Sequence, residues 1–160
     1  MTRRKPAAPK TVEPMHEMDR DDFSAGRPLN RKQVQEMIRK KESFVDIDLR
    51  GCDLNGLCFD NLDMSNAKLA EANLARCTFR GTKLIGTSFF AASLKDALLE
   101  DCDMEEADLD YAWLDGVSLK GTKIKKAIFP YKKVPLADIK ESVKTGKRLR
   151  MEPMSIDDDE

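Results

Sequence analysis

Between residues 46 and 130 the chain follows neither the 3.6-residue period of a helix nor the two-residue alternation of a strand. Every fifth position is apolar instead: Leu49, Leu54, Phe59, Met64, Leu69, Leu74, Phe79, Leu84, Phe89, Leu94, Leu99, Met104, Leu109, Leu114, Leu119, Ile124 and Phe129, seventeen positions without a slip. With 41% of the chain apolar, chance gives such a run with a probability on the order of 10⁻⁷, so the period is a repeat. Two residues before each large residue, the position is small in 14 of 17 cases, among them Cys52, Ala67, Ala72, Cys77, Thr82, Thr87 and Cys102; Ile47, Leu57 and Leu62 depart from the rule. One large and one small inward position per five residues fill a narrow core. Two residues after the large one stand Gly51, Gly56, Gly81, Gly86, Gly116 and Gly121, with Asn61, Asn66, Asp96 and Asp101 in the same phase. These residue types tolerate positive φ, so the backbone is predicted to turn once per repeat.

The flanks carry a different period. Asn30 is placed to cap a helix whose apolar positions Val34, Met37 and Ile38 share one face, with Leu29 as a staple, so residues 29–45 are predicted to hold a short helix ending near Lys41. Pro135 precedes Leu136, Ile139 and Val143, again one face, and Gly146 is placed to end a second helix within residues 131–150. Residues 1–28, which include Arg3, Arg4, Lys5, Pro6, Pro9 and Pro14, have no apolar period and read as a disordered basic tail. Residues 151–160, with Asp157, Asp158, Asp159 and Glu160, read as a disordered acidic one.

The written pattern, Ala-Asn-Leu-Ala-Arg at 72–76 and Ala-Asp-Leu-Asp-Tyr at 107–111, resembles the pentapeptide-repeat family. The resemblance implies an all-β solenoid, a right-handed quadrilateral β-helix in which four pentapeptides make one coil of about 20 residues and coils stack about 4.8 Å apart. Folded at that period, the core forms four stacks, one of them Phe59, Phe79, Leu99 and Leu119. A solenoid leaves open core and unpaired backbone at both ends, and the two flanking helices are positioned to cap them.

A chain of 160 residues is about one domain. Its 28 basic and 29 acidic residues leave a net charge of −1, so no field of one sign covers the molecule and direct nucleic-acid binding is not expected. By segment, residues 1–45 carry 11 basic and 7 acidic groups, residues 46–130 carry 10 and 15, and residues 131–160 carry 7 and 7. No apolar run approaches a membrane span or a signal peptide, and a cytoplasmic, bacterial protein is the simplest expectation.

Motifs that suggest chemistry dissolve into the repeat. Gly81 and Gly86 have the spacing of a phosphate-binding loop, but Thr87 stands where its lysine belongs. Asp101, Asp103 and Glu105 open like a calcium loop, but Glu106 replaces the glycine and Ala112 the bidentate carboxylate. Cys52, Cys77 and Cys102 fill small inward positions, Cys58 points outward, and the single histidine, His16, lies far from the repeat. No catalytic, metal-binding or cofactor-binding constellation is present, so an enzyme is not expected.

Function then rests on outward positions. The columns Asp60, Arg80, Glu100, Lys120 and Asp63, Lys83, Asp103, Lys123 alternate in sign from coil to coil and read as register-setting charge ladders. Phe90, Tyr111, Trp113 and Tyr131 project outward toward the C-terminal end, and either pack under the C-terminal helix, the first reading, or form a partner site. Two functions follow. One is a non-enzymatic interaction module or scaffold for a protein partner of unknown identity. The alternative, implied by the quinolone-resistance members of the family, is a DNA mimic that binds a type II topoisomerase through an acidic face containing Asp101, Asp103, Glu105 and Glu106. The sequence does not set the oligomeric state.

Overall fold

The computed structural model describes residues 29–151; the predicted tail at 1–28 and the predicted tail at 151–160 lie outside the described residues, except for Met151, which is buried against the last coil rather than part of a solvated tail. Thirteen parallel β-bridges join residues 20 apart, from Asp48 with Lys68 to Asp108 with Ile128. Seventeen residues, one in every five from Asp46 to Lys126, have φ between 55° and 83°. A coil therefore closes after 20 residues and four turns. Its first side holds residues 47–51, 67–71, 87–91, 107–111 and 127–131; the second, third and fourth begin at 52, 57 and 62 and repeat at the same interval. The structure contains single-residue bridges where an all-β fold would show strands, because a turn every five residues leaves each side room for one bridging residue.

Three regular backbone bonds per repeat link the coils: one donated by the bridging residue to the coil below, as in Asn73 N–H to Cys52 O at 2.8 Å, and two to the coil above, as in Leu54 N–H to Asn73 O at 2.8 Å and Gly56 N–H to Ala75 O at 2.8 Å. The amide between them has no place in this ladder, and an Asp or Asn at the bridging position accepts it: Asp63 from Ser65 N–H at 3.1 Å, Asn73 from Ala75 at 3.2 Å, Asp108 from Asp110 at 2.9 Å. That is the physical reason for the frequent acid or amide just before the large apolar residue.

Inside, sixteen of the seventeen large positions are buried, and Ile124 is half-buried. Phe59 and Phe79 stack with centroids 5.2 Å apart. Phe44, one repeat ahead of the series, is also fully buried and meets Phe59 edge-on at 6.0 Å. The core therefore starts one position before the repeat becomes legible. Polar residues in the small position each donate to a carbonyl 23 residues back: Thr82 Oγ1 to Phe59 O at 2.7 Å, Thr87 Oγ1 to Met64 O at 2.8 Å, Cys77 Sγ to Leu54 O at 3.0 Å. The small position is thus a hydrogen-bonding position as well as a steric one.

Helix α1, Arg31–Lys40, begins at Asn30 with a capping box to Gln33 and ends on left-handed Lys41. It buries Val34 and lies against the first coil, where Cys52 Sγ donates to Leu29 O. Helix α2, Leu136–Thr145, ends on left-handed Gly146 and buries Ile139 and Ser142. The chain from Ser142 to Met151 covers the last coil on its second and third sides. Leu119 N–H donates to Ser142 Oγ, Gly121 N–H to Val143 O, Gly116 N–H to Leu149 O and Leu114 N–H to Met151 Sδ.

Candidate functional site

The first side changes character along the rod. Its outward residues include Asp48 and Arg50 in the first coil and Lys68 and Glu71 in the second, then Phe90, Tyr111, Ile128 and Tyr131 in the third to fifth, beside Ser88, Asp108 and Asp110. Phe90 is 42% exposed, Tyr111 73%, Ile128 49% and Tyr131 50%. Phe90 and Tyr111 meet edge-to-face with centroids 5.3 Å apart. Tyr111 occupies a turn at φ 61°, a conformation that costs a non-glycine residue about 1–2 kcal/mol; the turn lifts its ring outward, and its N–H donates to Asp110 Oδ1. Tyr131 leans on the buried Phe129 at 6.1 Å.

The four aromatics singled out in the sequence are therefore not one cluster. Phe90 and Tyr111 form a pair and Tyr131 stands one coil beyond Tyr111 on the same side. Trp113 lies around the corner on the second side, half-buried against the core. The hydrogen bonds of α2 fall on the third side, so the helix does not cover Phe90, Tyr111 or Tyr131. Ile128, which fills out the patch, is missed in the sequence because its position carries Asp48, Lys68, Ser88 and Asp108 in earlier coils.

The acidic residues fall differently. Asp103, Glu105 and Glu106 share the third coil of the fourth side, with Asp101 at the preceding corner. Directly above them lie Lys123, Lys125 and Lys126, with Asp103 bridged to Lys123 and Glu106 N–H bonded to Lys125 O at 2.9 Å; below lies Lys83. Of the two charge ladders, one contains an ion pair, Arg80 with Glu100 at 3.4 Å, and Asp60 Oδ1 accepts from Arg80 N–H at 2.9 Å. In the other, no lysine comes within ion-pair distance of a carboxylate among the described residues.

The inward thiols are shielded. Burial pushes the Cys77 thiol up to about 11 and the Cys102 thiol up to about 12, whereas Cys58 is exposed. Among the described residues, no three His, Cys, Asp or Glu side chains gather as a metal site, and no helix is long and apolar enough to cross a membrane.

Residues 52–129 match the family model described as a pentapeptide repeat region. No curated protein matches the chain. Among solved structures, the chain is similar to HetL, a pentapeptide repeat protein involved in heterocyst differentiation regulation from the cyanobacterium Nostoc sp. strain PCC 7120, at 27% identity and a TM-score of 0.52. That match covers 55% of this chain and 43% of HetL. A second pentapeptide repeat protein from the same organism, alr5209, is similar at 25% identity and a TM-score of 0.54, over 74% of this chain and 98% of its own.

Proposed function

The repeat region of this chain belongs to the pentapeptide-repeat family, and from that premise we propose that the protein is a non-enzymatic docking rod that binds a protein partner through the aromatic end of its first side. The finer geometry implied by the family, a right-handed quadrilateral helix closed by capping helices, is part of this reading; the 20-residue bridges and the bonds from the Ser142–Met151 stretch to the last coil support it. The observation that carries the function is the exposed Phe90–Tyr111 pair beside Ile128 and Tyr131 on a stacked, rigid backbone. Aromatic anchors held this way lose little conformational entropy on binding and commonly dominate an interface.

The topoisomerase-directed alternative requires a continuous acidic stripe. Lysines on the adjoining coils interrupt the Asp103, Glu105 and Glu106 row, and this favours the docking rod. Cross-linking and affinity capture from the source cell, with the native chain and a Phe90→Ser/Tyr111→Ser variant, test it. We expect a partner retained by the native chain and reduced at least tenfold by the variant, with unchanged melting temperature. Equal capture, or inhibition of DNA supercoiling that disappears when Asp101, Asp103, Glu105 and Glu106 become Ser, overturns it.

A further inference from the structure

The fourth side of the last coil is left open. In the third coil of the fourth side, Met104 N–H and Glu106 N–H donate to Lys123 O and Lys125 O of the coil above, at 2.8 and 2.9 Å. The equivalent donors of the final coil, on Ile124 and Lys126, have no acceptor among the described residues. On the second and third sides, the corresponding donors of Leu114, Gly116, Leu119 and Gly121 are all met by the stretch from Ser142 to Met151, and on the first side only Phe129 N–H lacks an acceptor among the described residues. Ile124 is also the one large inward residue of the series that is not buried, and exposed Lys123, Lys125 and Lys126 surround it. The edge lacks an acceptor strand, an apolar cover and negative charge at the same place.

The fold itself contains a template for what fits. One coil down, the run Met104-Glu105-Glu106 pairs with this lysine row, its apolar residue inward and its two acids outward. The sequence repeats that pattern once beyond the described residues, as Ile156-Asp157-Asp158, followed by Asp159 and Glu160. Four residues lie between Met151, anchored by its N–H on Asp115 Oδ1, and Ile156, so the five steps between them reach up to about 17 Å. Opposite sides of the coil are one five-residue side apart, a shorter distance because each side contains a turn. We propose that the edge at 123–126 is a docking site for an acidic strand and that its occupant is this chain's own C-terminal segment, residues 156–160. Ile156 covers Ile124, the segment's carbonyls accept from Ile124 and Lys126 N–H, and Asp157 and Asp158 neutralise Lys125 and Lys126. Read alone, the acidic run has no partner and is expected in solvent; the open lysine edge supplies one. Such pairing removes two adjacent unpaired amides from an end that otherwise invites strand addition.

The test uses the full chain. An equal mixture of ¹⁴N- and ¹⁵N-labelled protein is treated with a zero-length carbodiimide cross-linker, and the peptides joining Lys123, Lys125 or Lys126 to Asp157 or Asp158 are read by mass spectrometry. Amide exchange at Ile124 and Lys126 is compared with that of a D157N/D158N/D159N/E160Q variant. We expect cross-links within one isotope only, and exchange at both amides at least tenfold faster in the variant, with equal melting temperatures confirming an intact fold. Mixed-isotope cross-links would place the tail on a second copy and overturn the assignment. So would equal exchange in the two proteins, or slow exchange in both, which would mean that another segment covers the edge.

Discussion

The Oδ1 of Asn61 lies 2.5 Å from where a Cβ on Gly81 would stand, one coil further along. The same stacking joins Asn66 to Gly86, Asp96 to Gly116 and Asp101 to Gly121. Each glycine serves two purposes, a turn at positive φ and room for the side chain of the left-handed Asn or Asp beneath it.

That dual role separates the glycines by their cost of substitution. Gly56, at φ 75°, has open space around it, whereas a Cβ on Gly116, at φ 83°, would come within 3.2 Å of the Asp96 Cα. Gly56→Ala is expected to cost about 1–2 kcal/mol, the left-handed penalty alone. Gly116→Ala should cost clearly more, with part recovered by Asp96→Gly. Chemical denaturation of the three proteins checks this; equal losses at Gly56 and Gly116 would contradict the stacking account.

Where a longer side chain occupies a turn, the reverse change should help. Arg76 is exposed, sits at φ 60°, and is expected to gain up to about 1 kcal/mol of stability when replaced by Gly. A thermal melt is sufficient, and a lowered midpoint would show that the Arg76 side chain contributes more than its backbone conformation costs.

The hydroxyl of Thr82 donates to Phe59 O inside the rod. Thr82→Val preserves shape but leaves that buried carbonyl unmet, an expected loss of about 1–3 kcal/mol. Thr82→Ser should cost less because the donor remains. Urea unfolding curves distinguish them, and a neutral valine would mean that the small position is purely steric.

Thiol chemistry should be confined to one residue. At pH 8, iodoacetamide is expected to alkylate exposed Cys58 and to spare Cys77 and Cys102, whose thiols burial raises to about 11 and 12. Peptide mapping of the folded protein reads the sites. Rapid modification of Cys102 without unfolding would be inconsistent with its place in the core.

The Ser65 hydroxyl and then its backbone N–H hold the Asp63 carboxyl below its usual value. The folded state therefore favours ionised Asp63. This contribution is present above the ordinary pKa of about 3.9 and is lost as pH falls through the lower folded value. In Ser65→Ala the Asp63 titration, followed by NMR, should move up toward the ordinary value. An unmoved midpoint would assign the shift to another neighbour.

The chain's own residues determine the period, the inward positions and most of the turns, because each is fixed by a local requirement: an apolar side chain every fifth residue, a small one two before it, and Gly, Asn or Asp where φ must be positive. Asn30 and Gly146 likewise mark helix ends through their own backbone chemistry. Tertiary structure decides the rest. Phe44 joins the core because the coil above supplies Phe59 as its neighbour, although the residue five before it is Arg39. Glu71, Arg76, Ala91, Glu106, Tyr111 and Lys126 turn left-handed against their own preference because the coils on either side fix the register. Only the path of the chain after Pro130 determines which sides of the last coil are covered. The residues from 142 to 151 meet the second and third sides and leave Phe90, Tyr111 and Tyr131 exposed, since a repeat that is alike on all four sides carries no local signal for where its cap will lie.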